Sequence, residues 1–180
     1  LFRSIQELRD VQVLQRTQAI LKDMGHDYHY QASEAVGRGV KERYAFLYRA
    51  DRFSVVTPGK TVPDAADAFI REPYYAQFRV GNFDFILLTI HLLYGNSAQD
   101  RRPELLSLAR AFDQVRAENP AEQDIILLGD FNFPPDDAGW ADLKQAPTMT
   151  HLIRPPEKTT ITDTSLYDNI WFQARYVREY

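Results

Sequence analysis

The segment Gly129-Asp130-Phe131-Asn132 carries the strongest chemical signal in this sequence. It comes directly after the apolar run 125–128, which is typical of a short buried strand. If the backbone is still extended there, side chains two positions apart point to the same side, so the Asp130 carboxylate and the Asn132 carboxamide lie together. Such a pair at the exit of a strand could hold a metal ion, a water molecule or a phosphate oxygen.

Further polar side chains stand where predicted strands meet loops, and ligand-binding groups are common at such places. They are Glu7 after Ile5-Gln6, Glu42 before the aromatic run 44–48, His91 at the end of 85–90, and Asp168 before Ile170-Trp171-Phe172. Each one alone has a structural explanation, because strand-end acids usually form turns or stay solvated and a lone histidine is usually satisfied locally. Taken together, these residues favour a functional site more than any one of them does, since the strands of one sheet can bring their ends to a common rim.

This combination of side chains suits the hydrolysis of a phosphodiester. A carboxylate such as Glu7 can hold Mg²⁺, which polarises a phosphoryl oxygen. A histidine can act as an acid or as a donor to the phosphate, and a carboxylate at its second nitrogen fixes its tautomer. An aspartate or asparagine can position the attacking water. No other site is as coherent, because the sequence lacks the phosphate-loop, dinucleotide-binding, nucleophile-elbow and two-histidine zinc motifs.

The composition indicates one folded domain. A chain of 180 residues that is 44% hydrophobic and 13% aromatic can bury a substantial core. No apolar stretch approaches the roughly 20 residues of a membrane helix, so we expect a soluble chain with no stable membrane association. The absence of cysteine excludes disulfides and thiolate sites and is compatible with a reducing compartment such as the cytoplasm.

The net charge of −4 excludes a protein that binds nucleic acid through its overall charge. A bound divalent cation and a local basic patch would have to attract a phosphodiester instead. Arg38, Lys41 and Arg43 could form such a patch, and a solvated charged loop is an equally good explanation for them.

The apolar periodicity predicts a mixed, mostly antiparallel α/β domain with no internal repeat or linker. We expect helices near residues 11–24 and 103–118, and a hairpin formed by 74–80 and 83–91 across Gly81-Asn82. Other strands are predicted around Ile5, at 28–31, 44–48, 52–57 and 125–128, and after Asp168. Residues 58–69 are predicted to form a loop because they contain two prolines and a glycine.

Six segments occur in the order found in the endonuclease/exonuclease/phosphatase superfamily, and they most resemble its deoxyribonuclease I-like members. They are Ile5-Gln6-Glu7-Leu8-Arg9-Asp10, residues 41–49, Arg71-Glu72-Pro73, Ile90-His91, Gly129-Asp130-Phe131-Asn132, and Tyr167-Asp168-Asn169-Ile170. The last has Asn169 where the family has an arginine. The resemblance runs from about Ile5 to Phe172, and six ordered matches make a chance similarity improbable.

The resemblance implies two stacked, mixed β-sheets flanked by helices, and cleavage of phosphodiesters by water with Mg²⁺, or with Ca²⁺ or Mn²⁺ instead. It implies that Glu7 is the metal ligand and that Glu42 orients His91. Asp130 and Asn132 would hold the water and the phosphate, and Asp168 would orient a second histidine. The same resemblance assigns substrate contacts to Arg9, Tyr44, Arg71 and Tyr167.

Two family features do not occur among these residues, namely an initial strand with a metal-site asparagine and a final Ser-Asp-His segment. We therefore expect a single domain trimmed at both ends, with Asp168 lacking its histidine and the 180-residue form poorly active. The disulfides of secreted deoxyribonuclease I are also absent.

The expected function of the intact protein is Mg²⁺-dependent DNA endonuclease activity, with DNA as the partner and the oligomeric state open. The Arg9 and Arg71-Glu72-Pro73 positions favour nucleic acid. One alternative is a phosphodiesterase or phosphatase of the same fold that acts on RNA, a phospholipid or a phosphoinositide. An alternative of another class is a non-catalytic binding module or an inactive fragment.

Overall fold

Within residues 2–95 and 97–177, which the computed structural model describes, the strands form two sheets. The smaller sheet is antiparallel and has the order β1 (Phe2–Leu8), β3 (Arg43–Arg49) and β2 (Tyr28–Ala32). The larger sheet has the order β4 (Ser54–Thr61), β5 (Tyr74–Val80), β6 (Phe83–His91), β7 (Ile125–Asp130), β9 (Asp168–Gln173) and β8 (Met149–His151). Its β6–β7 pair is parallel, and its other pairs are antiparallel.

The helices cover the outer faces of this sandwich. Helix α1 (Gln12–Asp23) buries Leu14 against the small sheet, whereas α2 (Ala98–Glu118) packs on the large sheet. A 3₁₀ turn (Ala138–Trp140) and the short helix α3 (Ala141–Lys144) complete the layer. No helix in the described part of the chain is long and apolar enough to cross a membrane. The predicted architecture of two stacked sheets flanked by helices is confirmed.

The space between the sheets is filled by aromatic rings, because alternate residues of each strand point into it. Phe78 of β5 packs edge-on against Phe46 and Tyr48 of β3, with ring centroids 5.5 and 5.3 Å apart. Along β6 the same alternation turns Phe85 and Leu87 towards this layer. His91 has the same parity as these two residues, so it ends β6 on the face that looks towards the small sheet.

The opposite face of the large sheet holds the second core. Ile86, Leu88 and Ile90 of β6 alternate with the inter-sheet residues and contact α2 through Leu108 and Phe112. Helix α2 therefore fixes the position of β6, the strand that ends in His91.

The observed elements differ from the predicted ones in several places, and the 3₁₀ turn and α3 lie in a stretch for which no element was predicted. The hairpin across Gly81-Asn82 is confirmed, but α2 begins at Ala98 rather than 103, because Ser97 caps it by accepting a hydrogen bond from the Asp100 N–H at 3.2 Å. The predicted loop at 58–69 was wrong at its start, since β4 continues through Pro58 and Gly59. Proline is tolerated there because β4 is an edge strand with irregular register. The three-residue strand β8 was not predicted.

Candidate active site

Three neighbouring strands place three titratable residues side by side on one rim of the large sheet. His91 ends β6 and is the register partner of Asp130 at the end of the parallel strand β7. Asp130 is in turn the register partner of Asp168, the first residue of the antiparallel strand β9. Parallel pairing brings the carboxyl ends of β6 and β7 to the same edge, and the antiparallel strand β9 starts there. The predicted convergence of these strand ends is therefore present.

The His91 imidazole is fixed from the opposite sheet. Glu42, which directly precedes β3, places Oε1 2.8 Å from His91 Nδ1. The same Oε1 atom lies 2.7 Å from Arg71 Nε. Because an ionised carboxylate can only accept, the proton of a neutral ring lies on Nδ1 and Nε2 faces outward. The nearly buried Arg71 guanidinium compensates the charge of the Glu42 carboxylate.

Arg71 also holds the backbone that follows His91. Its Nε donates to the carbonyl oxygen of His91 at 3.0 Å, and its Nη2 donates to that of Leu92 at 3.1 Å. Its predicted role as a substrate contact is therefore corrected, since the guanidinium is almost buried and is engaged with Glu42 and two carbonyls. In this structure Arg71 positions the His91 segment.

Glu7 reaches the same rim from the small sheet through an irregularity in β1. The pairing with β3 shifts register between Ile5 and Leu8, and Glu7 has a φ of +58°. A non-glycine residue in this left-handed region is uncommon and is held by its surroundings, and such residues often occur at functional sites. The Glu7 carboxylate lies 3.8 Å from His91 Nε2, and its side chain is 64% exposed. Glu7 therefore faces solvent at the mouth of the site.

Asp130 lies between these groups and experiences competing influences. Burial raises the pKa of its carboxyl, the backbone N–H of Asn132 counteracts this at 2.9 Å, and the negative charges of Asp168 and Glu7 raise the pKa further. Its Oδ2 is 4.0 Å from His91 Nε2. The carboxylates of Glu7 and Asp130 thus concentrate negative charge around His91 Nε2.

This donor set fits a largely hydrated divalent cation. No cluster of three or more His, Asp or Glu side chains forms a ready-made ligand shell in residues 2–95 and 97–177. Mg²⁺ does not require one, because it is commonly bound by one or two carboxylates and keeps several waters. The exposed Glu7 carboxylate, with Asp130 and Asp168 crowding each other nearby, matches that mode of binding.

The close approach of β7 to β6 depends on Gly129. Its φ is +151°, and a Cβ atom at this position would overlap the carbonyl oxygen of Ile90. Asn132 then adopts a φ of +52° and donates from its side-chain nitrogen to the carbonyl oxygen of Leu92 at 2.8 Å. The motif thus connects the exits of both parallel strands. The role of Asn132 in holding water or phosphate stays a prediction.

The other predicted substrate contacts have different environments. Arg9 is exposed just after β1, and Tyr167 is half-buried directly before Asp168, so both lie where a ligand can reach them. Tyr44 is fully buried, and its hydroxyl accepts a hydrogen bond from the backbone N–H of His91 at 3.1 Å. The prediction that Tyr44 contacts substrate is therefore corrected, because its aromatic ring belongs to the inter-sheet core.

The basic residues near Gly37 are mostly engaged internally. Arg38 pairs with Asp67, and Arg43 donates to the carbonyl oxygen of Ser33 at 2.8 Å. These contacts favour the interpretation of a charged surface loop over that of a phosphate-binding patch.

Two supporting residues were missed by sequence reasoning. Glu104 of α2 is buried, and its two oxygens accept from the backbone N–H groups of Ile70 and Leu93, at 2.6 Å each. It therefore ties together the segments that carry Arg71 and His91. Thr159 accepts from the N–H of Asp168 at 2.9 Å. An acid on the apolar stripe of α2 was the available signal for Glu104, whereas nothing in the sequence distinguished Thr159.

Cavity size alone would have pointed elsewhere. A cavity of about 530 Å³ lies between α2 and α3 and contains none of these residues. A smaller cleft of about 210 Å³ is lined by Gln6, Gly129 and Asp168, beside the site. We assign the site from its convergent titratable groups, because they are what chemistry requires.

Comparison with known sequences identifies deoxyribonucleases as relatives. No family model matches the chain. A deoxyribonuclease of Thioalkalivibrio sp. (strain K90mix) is 35% identical over 179 residues, covering 94% of this chain and 49% of that protein. Deoxyribonuclease-1 of Sus scrofa is 31% identical over 184 residues, covering 92% of this chain and 63% of that protein. The chain thus spans 49% to 63% of the length of these relatives.

Comparison with solved structures gives the same fold at low sequence identity. The human Nocturnin catalytic domain superposes with a TM-score of 0.71 and 14% identity, over 96% of this chain and 69% of that one. An endonuclease/exonuclease/phosphatase from Bacteroides vulgatus gives a TM-score of 0.66 and 16% identity, over 96% of this chain and 73% of that one. D. rerio TDP2 complexed with single strand DNA product gives a TM-score of 0.66 and 18% identity, over 96% of this chain and 70% of that one. The chain is thus similar in sequence to deoxyribonucleases, and it shares its fold with an endonuclease/exonuclease/phosphatase protein.

Proposed function

We propose that this chain forms part of a metal-dependent DNA endonuclease that hydrolyses phosphodiesters. The observation that carries the proposal is the geometry around His91 Nε2. Glu42 holds the other ring nitrogen at 2.8 Å, while Glu7 and Asp130 approach Nε2 to 3.8 and 4.0 Å. A histidine with one nitrogen anchored and the other facing acids at an open rim is suited to proton transfer or to binding a phosphate oxygen.

In this proposal His91 acts through Nε2. When the ring is protonated, Nε2 donates a hydrogen bond to a non-bridging phosphate oxygen or passes its proton to the leaving oxygen. Glu42 stabilises the charged ring and prevents it from rotating, and Arg71 keeps Glu42 in place. A fixed ring lowers the barrier because no orientational freedom is lost during the reaction.

Asp130 is the candidate base for the attacking water. Its pKa is raised by burial and by the charge of Asp168, so its carboxylate holds a proton more strongly than an exposed aspartate does. The Asn132 N–H fixes one of its oxygens at 2.9 Å. The other oxygen, Oδ2, lies 4.0 Å from His91 Nε2. In this proposal Asp130 as the base and His91 as the acid therefore act on the same phosphate group.

Glu7 would hold the cation, and the nearby carboxylate of Asp168 would add negative charge that attracts it. When bound, Mg²⁺ supplies Lewis-acid polarisation of a phosphoryl oxygen and offsets the charge that develops there. Glu7 suits this role because its carboxylate is exposed and lies 3.8 Å from His91 Nε2.

Similarity to deoxyribonucleases favours DNA over the other substrates of this fold. Relatives of 31% to 35% identity are named deoxyribonucleases, whereas the superposed structures include Nocturnin and a mannosyl-6-phosphatase and so do not select a substrate. RNA, phosphoinositides and simple phosphate esters are therefore the comparison substrates in the test.

The experiment uses the protein expressed from its full reading frame. We expect nicking of supercoiled plasmid with Mg²⁺, which is abolished by EDTA and reduced at least a hundredfold by His91→Asn or Glu7→Gln. Glu34→Gln is the matched control and should cleave normally, because the Glu34 side chain is exposed and contacts Arg43 at 3.5 Å. Cleavage of RNA or a phosphoinositide in preference to plasmid would replace DNA as the substrate. Absence of cleavage on every substrate, or full activity of His91→Asn, would overturn the proposal.

A further inference from the structure

Arg101, in the first turns of α2, lies beside the catalytic rim with an uncompensated charge. Its Nη1 donates to the carbonyl oxygen of Asn132 at 2.9 Å, and its Nε donates to that of Ser97 at 3.3 Å. Interactions with Ser165 and then with Arg101 lower the pKa of the Tyr167 hydroxyl. These partners are neutral, and no carboxylate within residues 2–95 and 97–177 forms an ion pair with Arg101.

The neighbouring arginines differ in this respect. Arg71 pairs with Glu42, and Arg102 pairs with Asp137 at 3.1 Å. A guanidinium that is positioned by carbonyl oxygens and lacks a carboxylate keeps its capacity to bind an anion.

Aromatic rings flank the Arg101 guanidinium. It lies 5.0 Å from the centre of the buried Phe133 ring and 5.6 Å from that of Tyr94. Tyr94 is 71% exposed, although it is a large aromatic residue. An exposed ring stacked beside a fixed cation is the arrangement with which proteins bind a nucleotide, because the ring stacks on the base and the cation contacts the phosphate.

The position of this cluster relates it to the scissile phosphate. Asn132, whose carbonyl oxygen binds Arg101, donates its own N–H to Asp130. Tyr167 is followed directly by Asp168, and its carbonyl oxygen accepts from the Phe131 N–H at 3.0 Å. The Arg101 cluster is therefore joined to Asp130 and Asp168 through short backbone connections.

We propose that Arg101 and Tyr94 form a subsite for the nucleotide next to the scissile phosphate, with Arg101 contacting the flanking phosphate and Tyr94 stacking on a base or sugar. This inference rests on the proposed function and specifies its substrate as a polynucleotide with at least one further nucleotide beside the cleaved bond. A substrate without flanking nucleotides does not reach the subsite.

The test compares two substrates on the full-length protein with Mg²⁺, an oligodeoxynucleotide and bis(p-nitrophenyl) phosphate, which has no flanking nucleotide. Arg101→Gln should lower kcat/KM for the oligonucleotide at least tenfold more than for the small ester, and should reduce the salt-dependence slope of oligonucleotide binding by about 1. Tyr94→Ala should lower kcat/KM for the oligonucleotide about fivefold or more. Arg102→Gln, the adjacent arginine on the same helix, is the matched control and should behave like the parent protein.

An equal loss on both substrates would show that Arg101 only supports the Asn132 backbone, and the subsite would be rejected. Normal cleavage of the oligonucleotide by both variants would also reject it. Tyr94→Ala remains informative if Arg101→Gln fails to fold, because Tyr94 is exposed. If the parent protein cleaves neither substrate, the proposed function fails, and fluorescence anisotropy with a labelled oligonucleotide in EDTA decides the subsite. Weaker binding by both variants would support the subsite, and unchanged binding would reject it.

Discussion

Glu42 and His91 are 49 positions apart in the chain, yet Oε1 of one lies 2.8 Å from Nδ1 of the other. Glu42 belongs to the entry of β3 in the small sheet, and His91 belongs to the end of β6 in the large sheet. The bond therefore connects the two sheets at the rim, in addition to defining the orientation of the imidazole. Arg71 holds the same Glu42 oxygen at 2.7 Å, so Glu42, His91 and Arg71 form one connected group.

Replacing Glu42 with glutamine should affect both stability and activity. The variant leaves the nearly buried Arg71 without its anionic partner, which we expect to cost about 3 kcal/mol of unfolding free energy. It also replaces the charged acceptor of the Nδ1 proton with a neutral amide oxygen, which stabilises the protonated ring less, so kcat should fall on the order of tenfold to a hundredfold. Urea unfolding measures the first effect. ¹⁵N NMR of the His91 ring, which reports the tautomer, accompanies the kinetic assay.

Glu34→Gln is the control for this change, because Glu34 is exposed and forms only a long contact with Arg43 at 3.5 Å. It should change the unfolding free energy by less than about 0.5 kcal/mol. An unchanged His91 tautomer and an unchanged kcat in Glu42→Gln would show that the contact does not position the ring.

The sequence pattern correctly predicted the positions of residues that follow from the alternation of side chains along a strand. His91 has the parity of Phe85 and Leu87, and Asp130 ends an apolar strand, so their common rim follows from the pleat and from parallel pairing. The start of α2 was harder to predict, because its first turn is polar and depends on the Ser97 cap rather than on apolar periodicity.

Residues whose roles depend on tertiary contacts were assigned less well. The family resemblance assigned substrate contacts to Tyr44 and Arg71, but burial and local partners decide that both support His91. The position of Glu7 depends on a φ of +58°, which no side-chain pattern predicts for glutamate. Glu104 was overlooked because an acid inside an apolar stripe has no meaning until its N–H donors are known.

Replacing Asp130 with asparagine should stabilise the metal-free protein near neutral pH while it removes the proposed base. Because the folded protein raises the pKa of Asp130 above its ordinary value of 3.8, the stabilising contribution of the protonated acid is present below that pH. It is lost as the pH rises through the raised pKa. The neutral asparagine avoids this loss and still accepts from the Asn132 N–H. We expect a gain of less than about 1 kcal/mol at pH near 7, since Asp130 is partly exposed.

The measurement is urea unfolding in EDTA at several pH values between about 3.5 and 7.5. The advantage of Asp130→Asn should disappear towards the acid end of this range. Asp23→Asn, at an exposed position in the last turn of α1, should show no comparable trend. A variant that is less stable than the parent protein at neutral pH and equal to it in acid would have the opposite sign and would contradict the prediction.

Replacing Glu104 should loosen the segments around Arg71 and His91. In Glu104→Gln one carboxylate oxygen becomes an NH₂ group that faces a backbone N–H, so one of the two 2.6 Å bonds is lost and replaced by donor–donor repulsion. We expect a loss of about 2–4 kcal/mol in unfolding free energy, because the lost bond involves a buried charged acceptor. Asp113→Asn on the exposed side of the same helix should lose less than about 0.5 kcal/mol. Equal effects of the two changes would show that Glu104 holds neither segment.

Adding a methyl group at Gly129 should disrupt the junction of β6 and β7. The alanine Cβ would overlap the Ile90 carbonyl oxygen, and this atom can move only if the backbone just before His91 moves. Gly81→Ala is the matched control, because Gly81 also has a positive φ, +59°, but has no atoms within 4 Å of the added Cβ. The control should cost about 1–2 kcal/mol for the left-handed conformation alone. Gly129→Ala should cost about 3 kcal/mol or more in urea unfolding, since overlap adds to strain. It should also lower kcat through the displaced His91, whereas similar costs for both variants would mean that the two strands are not in the close contact described.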